Sequence, residues 1–169
     1  RNLAEGQLLV TLQQITEGLV YLHDHNVIHR DIKPHNVLLT SDGVAKLADF
    51  GCSSLMDSTK TSTSTTVGTM VYMAPECMAG RASYPSDLWS LGLTALHLGT
   101  GVVPWSELRD AYGNRLNDTQ LMFHIAQRSN AHPMPAALPT WLAQVIQRCL
   151  DFDPVTRPNA VGLLDFLNQ

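Results

Sequence analysis

The sequence predicts a mainly α domain carrying one small β-hairpin. Apolar residues recur at helical spacing near both ends of the chain, and a long uncharged run occupies its middle. A Ser41-Asp42-Gly43 turn signal between two short apolar runs supplies the hairpin.

Leu8, Leu12, Ile15, Leu19 and Leu22 follow one another at spacings of four and three, which predicts a helix over 7–23 with one apolar face. Gly18 inside it costs about 1 kcal/mol relative to alanine, so close packing is expected there. Val27-Ile28 leads into a string whose Pro34 forbids a continuous helix. Val37-Leu38-Leu39 and Val44-Ala45-Lys46-Leu47 then form the hairpin, with Asn36 opening one strand and Asp49 just past the other. Antiparallel pairing therefore juxtaposes two residues that lie 13 positions apart. Between Asp57 and Thr66, eight of ten residues are Ser or Thr (58, 59 and 61–66), a composition that builds no core and predicts a mobile loop. Leu88–Trp105 contains no Asp, Glu, Lys or Arg. Its glycines, His97 and Pro104 argue for a buried helix over 87–98, stopped by Gly99 and Gly101, rather than a membrane span. Trp141, Val145, Ile146, Cys149 and Leu150 share one face of a helix that ends before Asp153-Pro154. Pro158 is expected to open the last helix, with Leu163, Leu164 and Leu167 facing inward.

At 169 residues, 44% hydrophobic and 15% charged, the chain is long enough for one domain with its own core, and no linker or repeat interrupts it. A net charge of −4 argues against nucleic acid or an anionic membrane as the main partner. Three widely spaced cysteines suit reduced thiols in a cytosolic or nuclear compartment better than a disulfide framework, and a cytoplasmic protein is expected. His23, His25, His29 and His35 cluster locally, but their spacing matches no common zinc pattern.

Two strings concentrate the chemistry: His29-Arg30-Asp31-Ile32-Lys33-Pro34-His35-Asn36 and Asp49-Phe50-Gly51. They offer two carboxylates, an ammonium and a side-chain amide. Moving a phosphoryl group from a nucleotide to a hydroxyl requires one carboxylate to orient the hydroxyl, and hard oxygen ligands to hold the metal on the phosphates. A cation offsets charge on the transferred group. Ala74-Pro75-Glu76, Asp87-Leu88-Trp89-Ser90-Leu91-Gly92 and Asp153-Pro154-Val155-Thr156-Arg157-Pro158 follow in order.

This ordered set resembles the eukaryotic serine/threonine protein kinases over essentially the whole chain. The resemblance implies the helical, substrate-binding C-terminal lobe of that fold. The glycine-rich loop, strand lysine and helix glutamate of the β-rich N-terminal lobe are absent from the 28 residues before His29. The chain is thus expected to be a partial kinase domain, 1–169, inactive alone.

Matched one at a time, Asp31 is expected to orient the substrate hydroxyl, with Lys33 beside it. Asn36 and Asp49 would hold Mg²⁺ on ATP, and Leu38 would floor the adenine. His29, Phe50 and Gly51 would align loop and metal motif. Thr69 would bind the catalytic Asp31 and Lys33, and with Lys33 it favours a serine or threonine acceptor. Arg30 would pair with a phosphate placed on the Ser/Thr-rich run. Asp87 is structural, and Glu76 and Arg157 would form a buried ion pair. Ala48-Asp49-Phe50-Gly51-Cys52-Ser53, the 68–76 segment and Pro104-Trp105-Ser106-Glu107-Leu108 resemble the MAP kinase kinase kinase group most. That likeness implies a MAP kinase kinase as protein substrate. The alternative is a non-catalytic, pseudokinase-like scaffold, which has no need of Asp31, Lys33, Asn36 and Asp49.

Overall fold

The computed structural model describes residues 4–50, 54–55, 70–127 and 132–169. In chain order the elements are α1 (Glu5–Asp24), β1 (Val27–Ile28), a 3-10 turn (Pro34–Asn36), β2 (Val37–Leu39), β3 (Ala45–Leu47) and β4 (Ser54–Leu55). A second 3-10 turn (Met70–Tyr72) follows, then α2 (Pro75–Met78), α3 (Tyr84–Thr100), α4 (Asp118–Ala126), α5 (Thr140–Cys149) and α6 (Ala160–Leu167). The described residues are therefore mostly helical, with two small two-stranded antiparallel sheets.

Leu8, Leu12, Ile15 and Leu19 of α1 are buried, as their spacing predicts, and Leu22 packs at the margin. Helix α1 lies against α6, α3 and β3. Side-chain amides fix these contacts: Gln13 Nε2 donates to the Leu167 carbonyl (3.0 Å), and Gln14 Oε1 accepts the Ala45 N–H (2.7 Å). The central helix α3 is buried along nearly its whole length and packs against α5 and both 3-10 turns. No described helix is long and apolar enough to cross a membrane.

The hairpin is present in the predicted register, with Val37 opposite Leu47, Leu38 opposite Lys46 and Leu39 opposite Ala45. Gly43 turns it at φ +82°, a left-handed conformation that glycine adopts without steric cost. The β1–β4 pair, Val27 opposite Leu55 and Ile28 opposite Ser54, went unforeseen because two-residue strands carry no periodicity.

Three boundaries differ from expectation and one helix was not expected, each for a local reason. Helix α3 begins at Tyr84 because Ser83 and Ser86 form a reciprocal capping box, and it runs through Gly99 to Thr100. Gly101, at φ 71°, supplies the left-handed cap that ends it. Helix α6 opens at Ala160, because Asn159 rather than Pro158 provides the cap, its Oδ1 accepting the Gly162 N–H at 2.7 Å. Helix α4 was not anticipated. An Asn117/Gln120 capping box starts it, and only Leu121 and Ile125 are buried. Cys77 and Cys149 are free thiols, which burial pushes up to about 11 and about 12 respectively.

Close packing falls on other glycines than the one expected. A Cβ at Gly18 would meet Leu47 Cδ1 at an ordinary 3.7 Å, whereas one at Gly92 would come within 2.6 Å of Cys149 Cβ. Gly18→Ala should therefore raise the unfolding free energy by about 0.5–1 kcal/mol through helix propensity. Gly92→Ala should lower it by about 1–3 kcal/mol through overpacking of α3 on α5. Urea melts of the two variants check the contrast.

Candidate active site

The 29–36 segment is held from below by one carboxylate. Asp87, fully buried in the first turns of α3, accepts the His29 N–H on Oδ2 and the Arg30 N–H on Oδ1, each at 2.9 Å. His23 Nε2, reaching across from α1, lies 2.9 Å from the same Oδ2. Arg30 takes φ +68°, a left-handed conformation that costs a non-glycine residue about 1–2 kcal/mol and persists only where neighbours enforce it. Two adjacent N–H groups bound to one carboxylate are that enforcement. His23 carries no role on spacing alone beyond its local histidine cluster, because its partner lies 64 positions away, beyond any local signal.

Asp31 follows at once, and its two oxygens are treated differently. Lys33 Nζ donates to Oδ2 at 2.8 Å, and Asn36 Nδ2 donates to the same oxygen at 2.9 Å and to the Asp31 carbonyl at 2.7 Å. Oδ1 is buried and has no hydrogen-bond partner among the described residues. One carboxylate oxygen is thus locked by an ammonium and an amide, while the other is left as an acceptor.

The hairpin delivers the second cluster. The Ala48 N–H donates to the Asn36 carbonyl at 2.9 Å, extending the β2–β3 ladder by one step and setting Asp49 beside Asn36. Asp49, exposed and at φ +62°, is the second left-handed non-glycine residue here. Because both hydrogens of the Asn36 amide are engaged by Asp31, its Oδ1 is the group remaining for a metal. Among the described residues, no three His, Cys, Asp or Glu side chains converge on a metal position. An amide oxygen and one carboxylate, completed by phosphates and water, still suit Mg²⁺, which is seldom caged by protein alone.

His29 joins the two strings. It is fully buried, its ring centroid is 5.2 Å from that of Phe50, and its Nδ1 lies 3.3 Å from the Asp31 nitrogen. Burial holds its imidazole below 6.5, against the opposing fields of Asp87, Asp31 and Asp49 and a backbone hydrogen bond with Ala48. Leu38, on β2, is 55% exposed, leaving an apolar surface beside the polar cluster. Gly51, Cys52, Thr69 and the 58–66 Ser/Thr run lie outside the described residues.

Farther from the cluster, Glu76 and Arg157 form a two-pronged ion pair, Nη1 to Oε1 at 2.6 Å and Nη2 to Oε2 at 2.9 Å. Burial pushes the Glu76 carboxyl up, but the hydrogen bonds and charge of Arg157, aided by Ser86, outweigh it and hold it below its ordinary value. Arg157 also donates to the Pro85 and Asp151 carbonyls and lies over the Trp89 ring, with 5.0 Å to the centroid. The pair thereby ties the start of α2 to the segment before α6.

Comparison with known proteins places these residues in context. The protein kinase domain family matches residues 1–166. The chain is 38% identical over 162 residues to MAP3K epsilon protein kinase 1 of Arabidopsis thaliana, covering 95% of this chain and 11% of that protein. It is 36% identical over 178 residues to mitogen-activated protein kinase kinase 2 of the same plant, covering 100% and 47%. Against MAP kinase kinase kinase wis4 of Schizosaccharomyces pombe it is 35% identical over 175 residues, covering 95% and 12%. The chain thus spans less than half the length of each of these relatives.

The ion pair yields a direct test of packing. Arg157→Ala strands the buried Glu76 carboxylate and should lower the unfolding free energy by about 3–5 kcal/mol in urea melts, several times the cost of an exposed-site change.

Proposed function

The chain belongs to the protein kinase family, and from that membership we propose that the protein containing it transfers the γ-phosphoryl group of ATP to serine or threonine of a protein substrate, as a MAP kinase kinase kinase. The observation that carries this reading is the asymmetry of Asp31: Oδ2 is locked by Lys33 and Asn36, and Oδ1 is buried without a partner among the described residues. A substrate hydroxyl donating to Oδ1 is oriented for attack, and its proton has a carboxylate to go to. Lys33, held at the other oxygen, adds positive charge where negative charge develops on the transferred group.

Asn36 Oδ1 and the Asp49 carboxylate are the residues that would hold Mg²⁺, and Leu38 is the surface on which the adenine would rest. The bound ATP–Mg²⁺ supplies the phosphoryl group and the Lewis acid that neutralises its oxygens. The remaining residues contribute position. Asp87 fixes the loop, His29 and Phe50 join it to the metal motif, and the hairpin sets the two metal ligands side by side.

Three further parts of the reading are proposals of the same standing. The chain corresponds to the substrate-binding lobe, so activity requires a nucleotide-covering lobe elsewhere in the full protein. A phosphate on the Ser58–Thr66 run would pair with Arg30 and order the segment between the two strings and α2. Thr69 would bind Asp31 and Lys33 and favour serine or threonine as acceptor. The relatives include both a MAP kinase kinase and MAP kinase kinase kinases at similar identity, which supports a place in that cascade. The tier is set by the substrate, and a MAP kinase kinase phosphorylated on its activation loop is the one proposed.

The test is transfer of labelled phosphate from ATP–Mg²⁺ to a MAP kinase kinase by the longest natural form of the protein. Asp31→Asn should lower the rate by about 10²–10⁴-fold with the fold intact. No transfer by the unsubstituted protein would instead favour the scaffold reading.

A further inference from the structure

His132, Trp105 and the Met70–Tyr72 turn form a chain of contacts that the proposed reaction does not use. Trp105 lies in the loop after α3, almost fully buried and at φ +64°, a left-handed conformation that is costly for any residue with a Cβ. Its backbone N–H donates to His132 Nε2 at 3.1 Å, and its indole Nε1–H donates to the Val71 carbonyl at 3.0 Å. The His132 ring lies against the indole with centroids 4.4 Å apart, and the His124 ring of α4 meets it edge-on at 6.1 Å. The segment before α5 thus reaches the turn before α2 through a single tryptophan.

The partners of His132 fix its protonation state. A backbone N–H only donates, so Nε2 carries the lone pair; a carbonyl only accepts, so Nδ1, 2.8 Å from the Pro133 carbonyl, carries the hydrogen. Both nitrogens of the neutral ring are therefore used. A second proton, on Nε2, sets two donors against each other at 3.1 Å, and the hold on the left-handed Trp105 backbone is lost. The same nitrogen has another acceptor at hand, since Glu107 Oε1 lies 3.8 Å away. His132 and Glu107 line one cavity of about 340 Å³, and the Glu107 side chain is 44% exposed, which gives the carboxylate room to close and the proton a route from solvent. The cavity's other walls, from α3 (Leu96, Thr100), the loop after it and the 133–135 segment, carry no charge. His124 is the remaining titratable group against Trp105 among the described residues. Burial holds the His132 imidazole below 6.5, against the opposing effects of the Pro133 carbonyl and Glu107. The unfolded chain therefore takes the proton more readily, and the contribution of this bond is fully present above about pH 6.5 and declines as the pH falls below it.

We propose that His132 is a protonation-controlled latch on the Met70–Tyr72 turn. Neutral, it holds Trp105 left-handed and keeps the indole on Val71; protonated, it turns to Glu107 and lets the 102–109 segment and the turn loosen together. The turn also carries Tyr72, whose hydroxyl lies 2.6 Å from His97 Nδ1. That imidazole cannot act as the same latch, because a hydroxyl accepts from a protonated nitrogen as well as it donates to a neutral one. The turn follows Thr69 directly, so the latch couples acidity to the segment that the kinase reading assigns to the acceptor. The latch itself does not rest on that reading.

The test is hydrogen exchange read by mass spectrometry on the longest natural form of the protein, at about pH 7.5 and about pH 5.5, corrected for the intrinsic exchange rate. Fragments covering 102–109 and 70–73 should lose about tenfold in protection at the lower pH, while those of α1 and α6 keep theirs. His132→Gln supplies an acceptor oxygen that does not titrate, and should hold both fragments protected at both pH values. The exposed Glu107→Gln removes the anion that receives the imidazolium, and should move the opening to lower pH. Equal protection of the unsubstituted protein at the two pH values overturns the proposal, and so does a pH response that survives in His132→Gln, which assigns it to another group such as His124. If His132→Gln is unprotected at both values, Glu107→Gln decides: a lowered midpoint supports the latch, and an unshifted one overturns it.

Discussion

One buried carboxylate organises the half of this structure that carries the candidate site. Asp87 has no exposed surface, and an isolated charge in that position would be prohibitively costly. It is tolerated because the first turns of α3 favour negative charge, and because two consecutive backbone N–H groups and His23 satisfy it. In return it holds Arg30 in a left-handed conformation that the residue would not otherwise adopt. The backbone then turns so that Asp31 faces Lys33 and Asn36. Helix α1, helix α3 and the 29–36 segment meet at this single group.

From that anchor the rest of the cluster follows by short covalent steps. Asn36 ends the 3-10 turn and opens β2, so the residue that locks Asp31 also starts the hairpin. The hairpin is three residues on each side, and a register shift of one position would carry Asp49 away from Asn36. His29, buried between the strings, couples their positions through Phe50, Ala48 and the Asp31 backbone. The lock on Asp31 and the placement of Asp49 beside Asn36 are consequences of the same few hydrogen bonds. The Glu76–Arg157 pair serves a separate purpose, fastening the helices that flank this half to each other.

Much of this was legible in the residues, and the reasons for the remainder are physical. The apolar face of α1, the hairpin and the juxtaposition of Asn36 with Asp49 follow from periodicity and a Ser-Asp-Gly turn, all of which are local signals. The family resemblance supplied the ion pair and marked Asp87 only as structural, without its partners, since contacts 81 and 58 positions apart leave no local trace. What escaped was either very short, like β1 and β4, or decided by side-chain caps, like the ends of α3 and α6. Gly18 and Gly92 show the limit from the other side. Both read as helix-interior glycines, and only packing reveals that Gly92 touches Cys149 while Gly18 has room. The Tyr72–His97 bond likewise depends on how α3 meets the second 3-10 turn, which no spacing announces.

Amide hydrogen exchange in the folded protein, compared with Asp87→Asn, tests the organising role of that carboxylate most directly. The substitution removes the charge and one acceptor while nearly preserving shape. The account predicts that the His29 and Arg30 amides lose protection while those of α5, which also packs on α3, keep theirs. Unchanged protection at His29 and Arg30 would contradict it, and would mean that the loop holds its left-handed turn without Asp87.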